Sequence, residues 1–239
     1  MTERTFDFEA DYGAGYEALA RRVLFGYDQL FAMALSWLRQ GAGEEAQALV
    51  VGSGPGLELA HFGALEPGWR LTGVDPSAQM VALAREKVRA NGLADRVTLV
   101  HGLVDDLPAE PGFDAASAVC VMHFLRDDGS KRAFLDGIAR RLRPGARLAL
   151  FDLHGRPGSA AFEARLAAWK AFMAYRGQPR DEADWLVREV LGQLHLVTEE
   201  RTLELLAQAG FDAPARFYAA HLYGGGVALN SAGGVSFAE

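Results

Sequence analysis

The sequence predicts an α/β protein built on a doubly wound, seven-stranded, mostly parallel sheet that is closed by an antiparallel C-terminal hairpin. Three observations predict it. Apolar strands and amphipathic helices alternate from Gln47 to His154, the order that lays strands side by side in parallel. The first strand stops at a glycine cluster, "VVGSGPG" (Val50–Gly56), where the chain turns tightly into a helix. The last two apolar runs, within "PARFYAAHLYGGGVALNS" (Pro214–Ser231), leave no room for a crossover helix and must pair antiparallel.

Each element has its own signal. Between Gly13 and Arg39, Tyr16, Leu19, Val23, Tyr27, Leu30, Ala34, Trp37 and Leu38 recur at helical spacing. They predict one or two helices, interrupted near Gly26 and ending in the loop "GAGEE". "ALVV" is the first strand, a helix starts over Leu57–Ala64, and "WRLTGVD" is the second strand. "SAQMVALAREKVRANG" puts Met80, Ala84 and Val88 on one helix face and stops at Asn91-Gly92, a C-cap pair. "RVTLVHG" is the third strand. "FDAASAVCVMHFL" contains the fourth, with Cys120 inside it. The next helix takes Asp127 or Asp128 as N-cap, turns Phe134, Leu135, Ile138 and Leu142 inward, and ends at Arg143-Pro144-Gly145. "ARLALFDLH" is the fifth strand, and "TEERTLELLAQAGF" is a capped helix ending at Gly210. The helical stretch Ser159–Leu196 between them is the natural place for a substrate-binding cap.

The bulk numbers fit one domain. The 239 residues are 50% hydrophobic and 23% charged, ordinary for a globular chain. Its expected parts are an N-terminal helical lid (1–45), a cofactor-binding core (46–154), a helical cap (155–197) and a C-terminal helix with hairpin (198–239). No apolar run reaches membrane-span length, and the start "MTERTFDFEADYG" is acidic, unlike a signal peptide. A single cysteine excludes an internal disulfide, which suits the cytoplasm. The net charge of −7 argues against nucleic acid as the main partner, and the densest basic stretch, "RRLRPGAR", reads as a helix end. The scattered histidines and lone cysteine offer no metal site. The apolar N-terminal helices could pair two subunits.

What the glycine turn holds is the central question. A dinucleotide fingerprint G-x-G-x-x-G counted from Gly52 wants glycine where Leu57 stands. A P-loop needs a following Gly-Lys-Ser/Thr, and none follows. The second strand ends at Asp75 in "GVDPS", roughly twenty residues past the turn, where a carboxylate can accept both hydroxyls of a ribose. After the third strand, "GLVDDLP" could meet an adenine. A nucleoside joined to something short and polar, with no diphosphate, fits this order. Asp105 and Asp106 could instead begin a turn before Pro108, and Tyr27 could be a packed helix aromatic. For Asp75 at its strand end, little structural purpose is expected.

With "VVGSGPG", "GVDPS", "GLVDDLP" and "LRPGARLALFD" in this order, the sequence resembles the class I S-adenosylmethionine-dependent methyltransferases, a Rossmann-like family. The resemblance implies that Gly52, Ser53, Gly54 and Gly56 line the methionine part of S-adenosylmethionine. It also implies that Asp75, with Pro76, holds the ribose, and that Leu103 and Val104 flank the adenine, with Asp105 nearby. Outside the core, "FGYDQL" and "LLAQAGF…FYAAHLYGGGVAL" are similar to the subgroup containing the carboxy-S-adenosylmethionine synthase of tRNA modification. There a tyrosine matching Tyr27 reaches the methionine end of the ligand. That subgroup's arginine and asparagine fall at Leu205 and Val119 here, so an ordinary methyl donor suits the residues better. Two family acids are also replaced, by Val50 in the first strand and by Leu103 after the third.

Methyl transfer from a sulfonium is an in-line displacement in which positioning and exclusion of water do most of the work. A base is needed only where the acceptor carries a proton. His123 and His154, after the fourth and fifth strands, stand where an acceptor should sit and could take that proton; the competing reading is a histidine bonded to backbone at a strand end. In the cap, Trp169, Phe172, Met173, Tyr175 and Trp185 are plain core or line a pocket for a small, flat, apolar acceptor. The expected activity is O- or N-methylation of such a metabolite. Carboxy-S-adenosylmethionine synthesis, an NAD-dependent oxidoreductase and a catalytically silent nucleoside-binding protein are the alternatives.

Overall fold

The computed structural model describes residues 16–231, so residues 1–15 of the expected lid and the last eight residues of the C-terminal segment lie outside it. The described part of the segment expected as a lid is two helices, α1 (Tyr16–Val23) and α2 (Tyr27–Leu38), broken at Gly26, whose left-handed φ of 66° no helix accommodates. β1 (Gln47–Val51), α3 (Leu57–Leu65), β2 (Arg70–Asp75), α4 (Ala78–Ala90), β3 (Val97–His101) and β4 (Phe113–Val119) then alternate. They are followed by α5 (Ser130–Arg141), β5 (Leu142–Leu153), the cap helices α6 (Ala160–Tyr175) and α7 (Arg180–Gln193), α8 (Glu199–Gln208), β6 (Phe211–Ala220) and β7 (Tyr223–Asn230).

The seven strands lie in the order β3-β2-β1-β4-β5-β7-β6. All neighbours are parallel except β5–β7 and β6–β7. The order reverses between β1 and β4, and a ligand crevice opens at such a reversal, beyond the carboxyl ends of the strands. In register, Val50 stands between Gly73 and Ser117.

The sheet separates two apolar layers. One joins α2, α3 and the cap helices to Val50, Ala115 and Phe151; the other joins α5 and α8 to Leu49, Ala116 and Leu148. Leu30, Leu38, Phe62 and Trp69 of the first layer have no exposed surface, each stabilising the fold by about 1.5–3 kcal/mol. Polar ties close the corners. The Arg96 guanidinium donates to Trp69 O at 2.9 Å and Gly63 O at 2.8 Å, binding α3 to the start of β2. The Asn230 amide donates to Ala139 O and Leu142 O, locking the hairpin onto the end of α5.

Three local expectations are corrected. The α5 N-cap is Gly129, with φ 108°, and neither aspartate: Asp128 accepts from Ser130 two positions further on, and Asp127 is paired with Arg201. The helix also ends at Arg141, ahead of the proline turn, because Leu142 already pairs with Phe113 of β4. Cys120 is outside the strand, one residue past β4, with a left-handed φ of 59°. Leu30, Ala34 and Leu38 of α2 pack into the first core layer.

Candidate active site

A largely apolar cleft of about 490 Å³ opens beyond the carboxyl ends of β1, β2, β4 and β5, within the usual range for small-ligand sites. The turn after β1 forms its floor. Gly52, Gly54 and Gly56 take φ of 67°, 50° and 85°, left-handed values that other residues adopt only at a cost. A side chain at Gly56 would strike the Ala84 backbone at 2.9 Å, whereas one at Gly54 would meet nothing within 4 Å. The first close approach seats α3 on α4; the second is open space above the turn.

Asp75 ends β2, is buried, and lines the cleft. Its Oδ2 accepts the Gly54 N–H at 2.9 Å and its Oδ1 accepts the Ser77 N–H at 2.9 Å. The expectation that it has little structural purpose is therefore wrong: it pins the glycine turn and opens α4. Each carboxylate oxygen retains a lone pair for a further hydrogen bond.

The structure brings Tyr27, Gly52, Ser53, Gly54, Asp75, Pro76, Val119 and His123 to this one cleft. Gly56 is not on its wall but caps α3 just behind it. Leu103, Val104 and Asp105 are not on its wall either. A single 3-10 turn over Val104–Asp106, capped by the Asp106 carboxylate on the Leu103 N–H, drives Val104 into the second core layer and turns Asp105 to Arg140 and Arg141. Leu103 is left exposed. Leu205, the other position marked by the subgroup resemblance, is core under α8.

The two histidines separate. His154 is away from the cleft, packed against Gly224 and with Nδ1 3.3 Å from Thr202 Oγ1. Burial holds its pKa below the ordinary value, with Asp152 and Glu199 opposing. His123 is on the cleft wall, almost wholly buried, with Nδ1 2.8 Å from Asp152 Oδ1. The Leu153 N–H donates to the same nitrogen at 3.4 Å, a longer contact than that with Asp152. Asp152 Oδ1 also accepts the His123 N–H at 3.2 Å, and Oδ2 has no partner. Beneath them the buried Lys131 ammonium donates to Met122 O at 2.6 Å, with its pKa lowered by burial against the opposing fields of Asp152 and Asp127.

Of the cap aromatics only Trp169 reaches the cleft. Met173 is core, Tyr175 is exposed, and Phe172 meets Phe25 edge-on and His221 at a tilt. Leu186, Val190 and Gln193 supply the rest of the cap wall, and Leu19, Val23, Leu24 and Phe31 the lid wall. Sequence reasoning missed Asp152 and Glu58. Each was visible as a lone acid in an apolar run, "LALFDL" and "LELA".

The wall chemistry discriminates among ligands. Among the described residues lining the cleft there are the carboxylates of Glu58 and Asp75 and no lysine or arginine. A diphosphate would meet two acids and no counter-charge, whereas a cationic nucleoside fits them. The lining thus suits a cationic nucleoside better than a diphosphate, with Asp75 and the glycine turn on the same wall. Among the described residues no group of three His, Cys, Asp or Glu could hold a metal ion, and no helix is long and apolar enough to cross a membrane.

Comparison with known proteins agrees with this geometry. Residues 49–148 match a family model described as a methyltransferase domain. An uncharacterised methyltransferase of Synechocystis is 29% identical over 211 residues, spanning 87% of this chain and 84% of that one. An uncharacterised protein of Synechococcus is 34% identical over 104 residues, covering 43% of this chain but only 24% of its own length. The Burkholderia thailandensis 1,6-didemethyltoxoflavin-N1-methyltransferase, solved with 1,6-didemethyltoxoflavin and S-adenosylhomocysteine, superposes with a TM-score of 0.59 at 22% identity, over 93% of this chain and 87% of that one.

Proposed function

Taking as premise that the chain carries a class I, S-adenosylmethionine-dependent methyltransferase domain, we propose that it methylates an oxygen or ring nitrogen of a small, flat, mostly apolar metabolite. The observation that carries this reading is His123 on the wall of the cleft, backed by the buried Asp152 behind it. The donor supplies an electrophilic methyl group on a sulfonium sulfur. The chain's own residues do the rest. Asp75 and the glycine turn fix the nucleoside, so that an acceptor clamped under Trp169, Leu186 and Val190 can lie in line at about 3–3.5 Å. The lid and cap exclude water, which would otherwise solvate the acceptor and compete with it.

With Nδ1 turned to Asp152, His123 has Nε2 available to take the proton of a phenol, carboxylic acid or ring N–H as it is methylated. Asp152 fixes the ring and stabilises the imidazolium that forms, the role a carboxylate plays behind any histidine base. The Burkholderia neighbour is named for an N1-methylation of a didemethyltoxoflavin, and a flat heterocycle of that kind suits an apolar slot roofed by an indole.

The carboxy-S-adenosylmethionine reading is less well supported. An extra carboxylate on the donor would face Glu58 and Asp75 with no lysine or arginine among the described lining residues, and Val119 offers it no hydrogen bond. Calorimetry with S-adenosylmethionine, S-adenosylhomocysteine and NAD, followed by turnover over a panel of phenols, aromatic acids and N–H heterocycles, tests the proposal. Binding of the first two and methylation within the panel are expected. Binding of NAD alone would overturn it, and donor binding with no turnover over the panel would favour the silent nucleoside-binding reading.

A further inference from the structure

We propose that Glu58 is the residue that receives the α-ammonium group of the donor's amino-acid tail, an inference that rests on the methyltransferase reading above. Glu58 is the second residue of α3, two past Gly56, and its side chain is 5% exposed yet lines the cleft. Its Oε1 has no hydrogen-bond partner. A buried carboxylate oxygen in that state is expensive, and no other residue of α3 on the buried face is polar. The acid is therefore poorly explained as packing.

Its surroundings say what the missing partner must be. Ser117 of β4 and Cys120 just beyond it interact with the carboxyl; Ser117 is the register neighbour of Val50, the β1 position next but one before Gly52. Glu58 thus stands at the β1–β4 end of the cleft, whereas Asp75 stands at the end of β2, each of its oxygens already accepting one N–H, from Gly54 and Ser77. Among the described lining residues no lysine or arginine is present to pair with it. The partner must come with the ligand, carry positive charge and donate hydrogen bonds. The sulfonium has no N–H, whereas the ammonium has three.

The same environment couples binding to protons. Without a counter-charge, burial pushes the Glu58 carboxyl up to about 7, the Ser117 hydroxyl drawing it partly back. The Cys120 thiol beside it is pushed far up by burial and by the fields of Asp152 and Glu58, so it stays neutral. Asp75, His123, Tyr27 and Tyr223 are the other titratable groups on the wall. An ammonium seated on Glu58 requires the ionised form, so part of a proton leaves when the ligand binds near neutral pH.

The test compares wild type and Glu58→Gln with two ligands by calorimetry. S-adenosylhomocysteine keeps the ammonium and lacks the sulfonium; 5′-methylthioadenosine keeps the nucleoside and lacks the whole tail. The variant is expected to bind S-adenosylhomocysteine about tenfold or more weakly, the scale of a lost charged hydrogen bond, and methylthioadenosine within about twofold of wild type. Unchanged S-adenosylhomocysteine affinity, or equal weakening of both ligands, would overturn the assignment. Should the variant fail to fold, wild type titrated at pH 7 in buffers of different ionisation enthalpy decides: proton release with S-adenosylhomocysteine and none with methylthioadenosine is expected, and identical release overturns it. A wild type that binds neither ligand would sink the methyltransferase reading itself, a separate outcome.

Discussion

Asp75 and Gly54 form one unit: the carboxylate Oδ2 accepts the glycine N–H at 2.9 Å, so the acid offered to the ribose is also the brace of the turn beneath it. Asp75→Ala removes both functions. S-adenosylhomocysteine affinity is expected to fall about 10–100-fold, from a lost charged hydrogen bond, and the melting temperature is expected to fall with it. Calorimetry and thermal melts check this. Asp75→Asn keeps an acceptor and a donor in place and should recover part of the melting temperature. A stable variant with undiminished affinity would detach Asp75 from the ligand.

His123→Ala and Asp152→Asn should act on the chemical step. For an acceptor that carries a proton, turnover is expected to drop about 100-fold or more, the usual contribution of a positioned base. Affinity for S-adenosylhomocysteine should stay within about twofold. Steady-state kinetics with titration of the same preparations separates the two effects. A drop in affinity with unchanged turnover would assign the pair to ligand binding.

His154 should behave as a structural residue. Its buried ring, held neutral by desolvation, binds its proton less readily in the folded chain than in the unfolded one. The sign follows: stability is whole above the unfolded value of about 6.5 and is lost as the pH falls towards the lower folded value. His154→Gln should retain turnover and flatten the loss of melting temperature between pH 7 and pH 5. Melts across that range, beside one turnover measurement, decide it.

The glycines of the turn should divide by what lies above them. Gly56→Ala drives a side chain into the Ala84 backbone at a φ of 85°, so a destabilisation of about 1–3 kcal/mol is expected. Gly54→Ala meets open space at a φ of 50°. It should cost about 1 kcal/mol of stability and yet abolish measurable ligand binding, because its methyl projects from the cleft floor. Chemical denaturation paired with calorimetry distinguishes the two.

Much of this was legible because it obeys local rules. The alternation of strands and helices, the crossover-free hairpin and the turn at Gly52–Gly56 are written in spacing and glycine placement, and Asp75 falls where its strand ends. What escaped depends on which way a side chain faces across the sheet. His123 and His154 are equivalent in sequence, each following an apolar strand, but only the first emerges on the cleft wall. Asp105 looks like a ligand residue until the arginines at the end of α5 engage it. The cap aromatics share helical spacing with core residues, and only tertiary packing selects Trp169 from among them.

The Trp169 indole N–H donates to Val23 O at 2.6 Å across a separation of 146 residues. The roof of the cleft is therefore stitched from two arms far apart in the chain, and such a seam closes only after the intervening sheet has brought its ends together. During folding the cavity must then stay open until late, and in the finished molecule neither flap can swing aside without surrendering its hold on the other.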